Sequence, residues 1–340
     1  MSGVFSVPVA VIGAGAWGTA LAWLLAEKGK RVRLWAFEAE VAAGIAATRE
    51  NRAYLPGVRL PETLAATSSL ADAARGAGVL VFVVPSHAAA GVLDKLTPHV
   101  PPGVPIVSAT KGIEQEKLRV MSALLEEMLP THRGPVFALS GPSFAVEVCR
   151  HQPTAVALAG PPGPQAGALQ RLLMTPAFRV YLSADRVGVE LGGALKNVIA
   201  LAAGIVDGLG FGHNTRAALI TRGLAEMVRL GVAMGADPRT FAGLSGVGDL
   251  VLTCTGGLSR NRAVGVQLGE GKKLSDILAG THSVAEGVNT AQAALALSHR
   301  HQVEMPIVRE VCAVLFEGKE PRRAVADLME RAARPELDQA

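Results

Sequence analysis

Val7-Pro-Val9-Ala-Val-Ile12-Gly13-Ala14-Gly15-Ala16-Trp17-Gly18 is the stretch that decides the fold. A short apolar strand, Val7–Ile12, runs into G-x-G-x-x-G, and a helix reading Trp17–Lys28 follows, closed by Gly29. In such a turn the first glycine permits the sharp bend. The second lets the backbone approach a pyrophosphate, and the third lets helix and strand pack closely. Backbone N–H groups and the positive end of the helix then face the phosphates. The glycine spacing alone is weak evidence; its place between a strand and a helix gives it meaning. Gly13, Gly15, Ala16, Trp17 and Gly18 are therefore candidates for holding a dinucleotide, the alternative being a purely structural turn.

Outward from this turn, the first half of the chain alternates strand-like and helix-like segments. Strand candidates are Val32–Trp35, Val79–Val84, Ile106–Ala109, Val136–Leu139, Thr154–Ala159 and Phe178–Leu182. Val79–Val84 is a continuous apolar run stopped by Pro85, as expected of a strand buried on both faces. After about Asp185 the strand signals nearly vanish, and long helix-compatible stretches follow: Val187–Val206, Arg216–Met234, Asn289–Arg300 and Ile307–Phe316. The pattern predicts an α/β protein: a Rossmann-type, mostly parallel sheet domain over residues 1–187, then an all-helical C-terminal domain over 188–340.

Composition excludes several classes. The chain has 340 residues, 49% hydrophobic and only 18% charged, which suits a sizeable folded core and not a disordered chain. A net charge of +4 without any run of Lys or Arg gives no nucleic-acid patch, though it suits an anionic small substrate. Cys149, Cys254 and Cys312 are far apart and in no metal-ligand spacing, so they read as reduced thiols, and no metal site is expected. Met1 to Ala26 carries no charge but lacks a basic start, and Pro8 and three glycines break it. The uncharged run from His151 to Gln170 is likewise broken by prolines and glycines. Neither reads as a membrane span, and a soluble cytoplasmic protein is expected.

Polar clusters punctuate the apolar segments. Pro85-Ser86-His87, Thr110-Lys111-Gly112 and Ser140-Gly141-Pro142-Ser143-Phe144 each follow a strand candidate. In a parallel sheet all three lie at carboxyl ends, where ligand crevices form. Lys196 sits in an otherwise apolar helix. At a surface it would snorkel; partly buried, its pKa would fall and it could serve as a general base. Asp249 could orient a lysine or a substrate hydroxyl, or cap a helix after Gly248. Ser259-Arg260-Asn261 offers hydroxyl, guanidinium and amide donors in a row, suited to a phosphate, although Arg260 could equally be a surface residue. Glu38 stands about twenty residues past the glycine turn, where an acidic residue would bond the adenosine ribose. Strand two ends at Trp35, however, so Ala36 and Phe37 come nearer that position, and Glu38 also reads as a solvated first-turn residue.

From Val9 to about Arg331 the sequence resembles the bacterial NAD(P)-dependent glycerol-3-phosphate dehydrogenases. The motifs are Val11-Ile-Gly-Ala-Gly-Ala-Trp-Gly-Thr19, Val84-Pro-Ser-His87, Thr110-Lys-Gly112 and Ser140-Gly-Pro-Ser-Phe144. They continue with Gly192-Gly-Ala-Leu-Lys-Asn197, Asn214-Thr-Arg-Ala-Ala-Leu-Ile-Thr-Arg-Gly223, Gly248-Asp-Leu-Val-Leu-Thr-Cys254, Ser259-Arg-Asn261 and Met305-Pro306. The resemblance implies interconversion of dihydroxyacetone phosphate and sn-glycerol 3-phosphate with NAD or NADP, in service of phospholipid synthesis. It implies that Lys196 accepts the proton, with Asp249 as its polar partner, and that Lys111 meets both substrate and cofactor. Gly141, Ser143, Asn197 and Thr253 would join the substrate site, and Ser259, Arg260 and Asn261 would grip the phosphate. Ala145, Arg260, Val284 and Glu286 would approach the cofactor. Phe37 departs from the basic residue or His common there, which puts a preference for NADP in doubt. A homodimer is left open. Two rivals stand beside this reading: a related dehydrogenase with another anionic substrate, and a non-catalytic dinucleotide sensor.

Overall fold

In the computed structural model, which describes residues 7–280, 285–333 and 335–336, the glycine turn leaves an interior strand of the sheet. The strands are β1 (Val9–Ile12), β2 (Val32–Trp35), β3 (Glu50–Asn51), β4 (Leu55–Arg59), β5 (Leu64–Thr67) and β6 (Val79–Phe82). They continue with β7 (Ile106–Ser108), β8 (Ile113–Glu114), β9 (Arg119–Val120), β10 (Val136–Ser140), β11 (Thr154–Ala159) and β12 (Phe178–Ser183). Eight of them form one sheet in the order β12-β11-β10-β7-β6-β1-β2-β5, while β3-β4 and β8-β9 are separate two-stranded ribbons. β1 and β6 are buried at every position, as strands covered on both faces must be. Pairing is parallel from β5 through β10; β11 then runs antiparallel to β10, with β12 parallel to β11. The carboxyl ends of β1, β6, β7 and β10 therefore stand in a row, and the polar loops follow them.

Beyond β12 the described chain is helical. At its centre is the Arg186–Gly208 helix, begun by Asp185, whose side chain accepts from Gly188 N. Helices His213–Ala233, Asp249–Thr255, Arg260–Gly269, Glu286–Arg300 and Pro306–Phe316 pack around it, and it also meets β10. This helix is long and apolar enough to cross a membrane, but the whole of its apolar window is buried, which is the packing of a core helix. The Arg260–Gly269 helix runs alongside its second half in the same direction. A Cβ on Gly204 would collide with Arg262 O and come within 2.8 Å of Gly265 Cα, and Gly208 meets Val266 O and Gly269 one turn later. The two backbones touch along this seam, which only glycine allows.

Candidate active site

The turn after β1 has the form the glycine spacing requires. Gly13 has φ +119°, and a Cβ there would lie 2.6 Å from Val83 O; one on Gly18 would overlap Gly13 O. Gly15, by contrast, faces open space. It is also the N-cap of the Ala16–Glu27 helix and supplies no side-chain cap, so the first-turn N–H groups at Ala16 and Trp17 are open to an anion. The turn has a support that the sequence reading missed. The buried Asn51 donates through Nδ2 to Ala14 O at 2.8 Å and to Thr19 Oγ1 at 2.8 Å, and Thr19 Oγ1 donates to Ala14 O at 3.1 Å.

At the end of β2, Phe37 is 74% exposed and stands edge-on to Trp35. Glu38 is the N-cap residue of the Ala39–Thr48 helix and accepts a 2.7 Å hydrogen bond from Tyr54 Oη. It is thus half-buried and hydrogen-bonded, and not a free solvated residue. The Glu38 carboxylate pushes the Tyr54 phenol up to about 12.

Lys196, Lys111 and Asp249 meet at one point. Asp249 is fully buried in the first turn of the Asp249–Thr255 helix. Its carboxylate does not cap that helix: Oδ1 accepts from Lys196 Nζ at 2.5 Å and Oδ2 from Lys111 Nζ at 2.7 Å. Lys196 also donates to Thr253 Oγ1 at 2.8 Å. Lys111, after β7, donates to Gly141 O at 2.8 Å and lies 3.5 Å from Ser143 Oγ, which itself donates to Gly141 O. Burial, with the repulsion of Lys111, pulls the Lys196 ammonium down to about 8 against the attraction of Asp249.

One helical step on, Asn197 donates to Lys111 O at 3.2 Å and accepts from Asn261 Nδ2 at 2.9 Å. Asn261 Oδ1 in turn accepts from Gly287 N at 2.9 Å. One N–H of the Asn261 amide is thus engaged with Asn197, and the second is left over. Ser259 accepts from Arg262 N as the cap of the Arg260–Gly269 helix, leaving its O–H unspent. Arg260 is solvent-accessible and makes no hydrogen bond or ion pair among the described residues. Glu286 accepts from Ser86 N at 2.9 Å and Ser86 Oγ at 2.6 Å, and burial raises its carboxyl. A Cβ on Gly112 would fall 2.8 Å from Glu286 Oε2, so Gly112 leaves room for this latch. Ala145 opens the Ala145–Cys149 helix behind Ser143, and Val284 lies outside the described residues.

The arrangement therefore offers a turn open to an anion after β1 and a buried lysine of lowered pKa, joined through Asp249 to the loop that follows β7. An arginine that makes no hydrogen bond or ion pair among the described residues stands at the start of the Arg260–Gly269 helix. Over residues 8–163 the chain matches the N-terminus of NAD-dependent glycerol-3-phosphate dehydrogenase, and over residues 185–326 its C-terminus. It is 57% identical over 329 residues to the glycerol-3-phosphate dehydrogenase (NAD(P)+) of Geobacter sulfurreducens, covering 96% of this chain and 98% of that one. The crystal structure of glycerol-3-phosphate dehydrogenase from Coxiella burnetii superposes with a TM-score of 0.91 at 42% identity, over 96% of this chain and 100% of the other. The Saccharomyces cerevisiae enzyme of the same name gives 0.80 at 29% identity, over 96% and 99%.

Proposed function

The chain belongs to the NAD-dependent glycerol-3-phosphate dehydrogenase family, and we infer from its site how its residues carry out that family's reaction. The reaction interconverts sn-glycerol 3-phosphate and dihydroxyacetone phosphate. When bound, NAD(P) takes or supplies the hydride at C2 of the substrate. Gly13, Gly15, Ala16, Trp17 and Gly18 would hold its pyrophosphate, with Phe37, Lys111, Ala145, Arg260, Val284 and Glu286 around the remainder.

The observation that carries the residue assignments is the buried Lys196–Asp249–Lys111 cluster. A lysine ammonium has three N–H donors. Asp249 and Thr253 occupy two on Lys196, which leaves one for the substrate C2 oxygen. In oxidation, neutral Lys196 takes the C2 hydroxyl proton as the C2 hydrogen departs as hydride. In reduction, the ammonium returns that proton to the forming alkoxide. Asp249 orients both lysines, while Lys111, Gly141, Ser143 and Asn197 line the same place. The unspent Arg260 guanidinium, the Ser259 hydroxyl and the open N–H groups at the start of the Arg260–Gly269 helix would grip the phosphate dianion. With acid, base and phosphate anchored on packed helices, much of the remaining barrier reduction comes from positioning.

The three free cysteines suit a cytoplasmic setting, and the reductive direction would feed phospholipid synthesis. A homodimer belongs to the same reading, and sedimentation tests it. The deciding assay follows oxidation of NADH and of NADPH with dihydroxyacetone phosphate. Turnover with this substrate is expected; its absence with both cofactors, alongside turnover of another anionic ketone, would overturn the substrate assignment.

A further inference from the structure

Asp207 closes the far end of the helix that carries Lys196, and two arginines converge on it. Oδ2 accepts from Arg262 Nε at 2.8 Å and lies 2.7 Å from Arg262 Nη2. Oδ1 accepts from Arg216 Nε at 2.8 Å and lies 2.6 Å from Arg216 Nη2. The carboxylate is only 8% exposed and the arginines 24% and 22%, so this is a mostly buried cluster and not a surface pair. Arg262 belongs to the first turn of the Arg260–Gly269 helix, and its N–H is the one that Ser259 caps.

The seam between the two helices explains why such a clasp is needed. Gly204, Gly208, Gly265 and Gly269 bring backbone against backbone. The glycines fix the close separation of the two helices but contribute no side chain of their own to resist sliding or rolling. Two pins supply that resistance: Asn261 to Asn197 and Gly287 at the inner end, and Arg262 to Asp207 at the outer end. Asp207 lies about three helical turns, roughly 16 Å, beyond Lys196 on one continuous helix.

We propose that Asp207 is a positioning residue for the substrate phosphate. By clasping Arg262 and Arg216, it fixes the first turn of the Arg260–Gly269 helix relative to Lys196. The span between proton-transfer group and phosphate grip is thereby matched to a three-carbon substrate. The proposal rests on the reading of Ser259–Asn261 as that grip.

The test is Asp207→Asn in the full chain, which keeps the shape of the side chain and removes its charge. For dihydroxyacetone phosphate, KM should rise at least about tenfold with kcat nearly unchanged, the signature of lost binding common to ground and transition states. The Kd for NADH, whose pyrophosphate cradle lies on other elements, should change much less than that KM. Preference for dihydroxyacetone phosphate over its one-carbon-longer homologue, 4-hydroxy-3-oxobutyl phosphate, should fall. Unchanged KM and unchanged chain-length preference would overturn the proposal. So would a loss spread equally over KM, kcat and NADH binding, which would mark a merely structural role. Arg260→Leu, assayed in parallel, separates the two levels: a raised KM there beside a normal Asp207→Asn sinks the clasp alone, and normal values in both sink the grip. If Asp207→Asn does not fold, Arg216→Gln removes the outer arm and leaves the Arg262–Asp207 pair. A rise in KM is expected there too, and wild-type kinetics would overturn the proposal.

Discussion

Lys196 and Asp249 approach to 2.5 Å inside the protein, and the opposite oxygen of the same carboxylate is held by Lys111. One buried anion thus serves two cations. Burial loosens the proton on Lys196, the more deeply buried of the two cations. A buried carboxylate shared in this way orients both ammonium groups, so removing any member disturbs the other two.

Lys196→Ala should lower kcat by about a hundredfold or more, the usual scale of general acid–base catalysis. The glycine turn is built on other elements, so NADH titration should give a near-normal Kd. A variant with near-normal turnover would take Lys196 out of the proton-transfer role.

The pH dependence has a definite sign. Lys196 is protonated below its pKa of about 8, and the protonated form is the one that ketone reduction needs. The kcat/KM for dihydroxyacetone phosphate should therefore hold at low pH and fall as pH rises through about 8. For glycerol 3-phosphate oxidation it should rise through the same range. Asp249→Asn removes the anion that favours the ammonium, so both limbs should move to lower pH. Profiles in the two directions that fail to cross would speak against a shared group.

Arg260→Leu should lower kcat/KM for dihydroxyacetone phosphate by about tenfold to a hundredfold, since each hydrogen bond to a charged group is worth about 1.5–3 kcal/mol. Unphosphorylated dihydroxyacetone, a very poor substrate in any case, should suffer much less. An equal loss on both substrates would assign Arg260 to the cofactor or the fold, so NADH affinity is measured alongside.

Neither reduced cofactor should be preferred by more than about a hundredfold, or about 2.7 kcal/mol. Phe37 offers no charge to a 2′-phosphate, and Tyr54 holds Glu38. Arg33 is committed to the carbonyls of Asp72 and Arg75, and Arg52 pairs with Glu50 at 3.3 Å. Comparing kcat/KM for NADH and NADPH at equal substrate checks this. Phe37→Arg should move the ratio toward NADPH.

Burial pushes the Glu190 carboxyl up to about 7, although Ser122 donates to it through both N and Oγ. A carboxyl raised in the folded state contributes most below its unfolded pKa, and that contribution is lost as pH rises through 7. Glu190→Gln should therefore gain in Tm over wild type between pH 5 and pH 8.5. A Tm difference independent of pH would contradict the assignment.

Much of the sheet was legible because its strands are short and mostly apolar, and several are stopped by glycine or proline. Val32–Trp35 and Thr154–Ala159 form as predicted, and Val79–Val84 ends two residues early, at Phe82. β5 was not legible: Leu64-Ala-Ala-Thr67 has no pattern of its own and becomes a strand by pairing with β2. The reversal of β11 against β10 is likewise set by pairing and not by sequence period. At the site, Lys196 stood out as a charge in an apolar helix. Ser259 was read as a substrate donor, but its oxygen also caps a helix. Asn51, Thr19 and Asp207 were invisible, because each acts through a partner that only the fold supplies.

The core helix Arg186–Gly208 has a consequence for synthesis on the ribosome. Its own residues are complete at position 208, but its cover ends with the Pro306–Phe316 helix. At about 5–20 residues per second, the nascent chain carries an apolar, membrane-like segment incompletely covered for on the order of 5–20 s. A transcript truncated soon after the core helix would release a product with most of that segment bare. Such fragments should be captured by chaperones or proteases and should not accumulate as soluble half-enzymes.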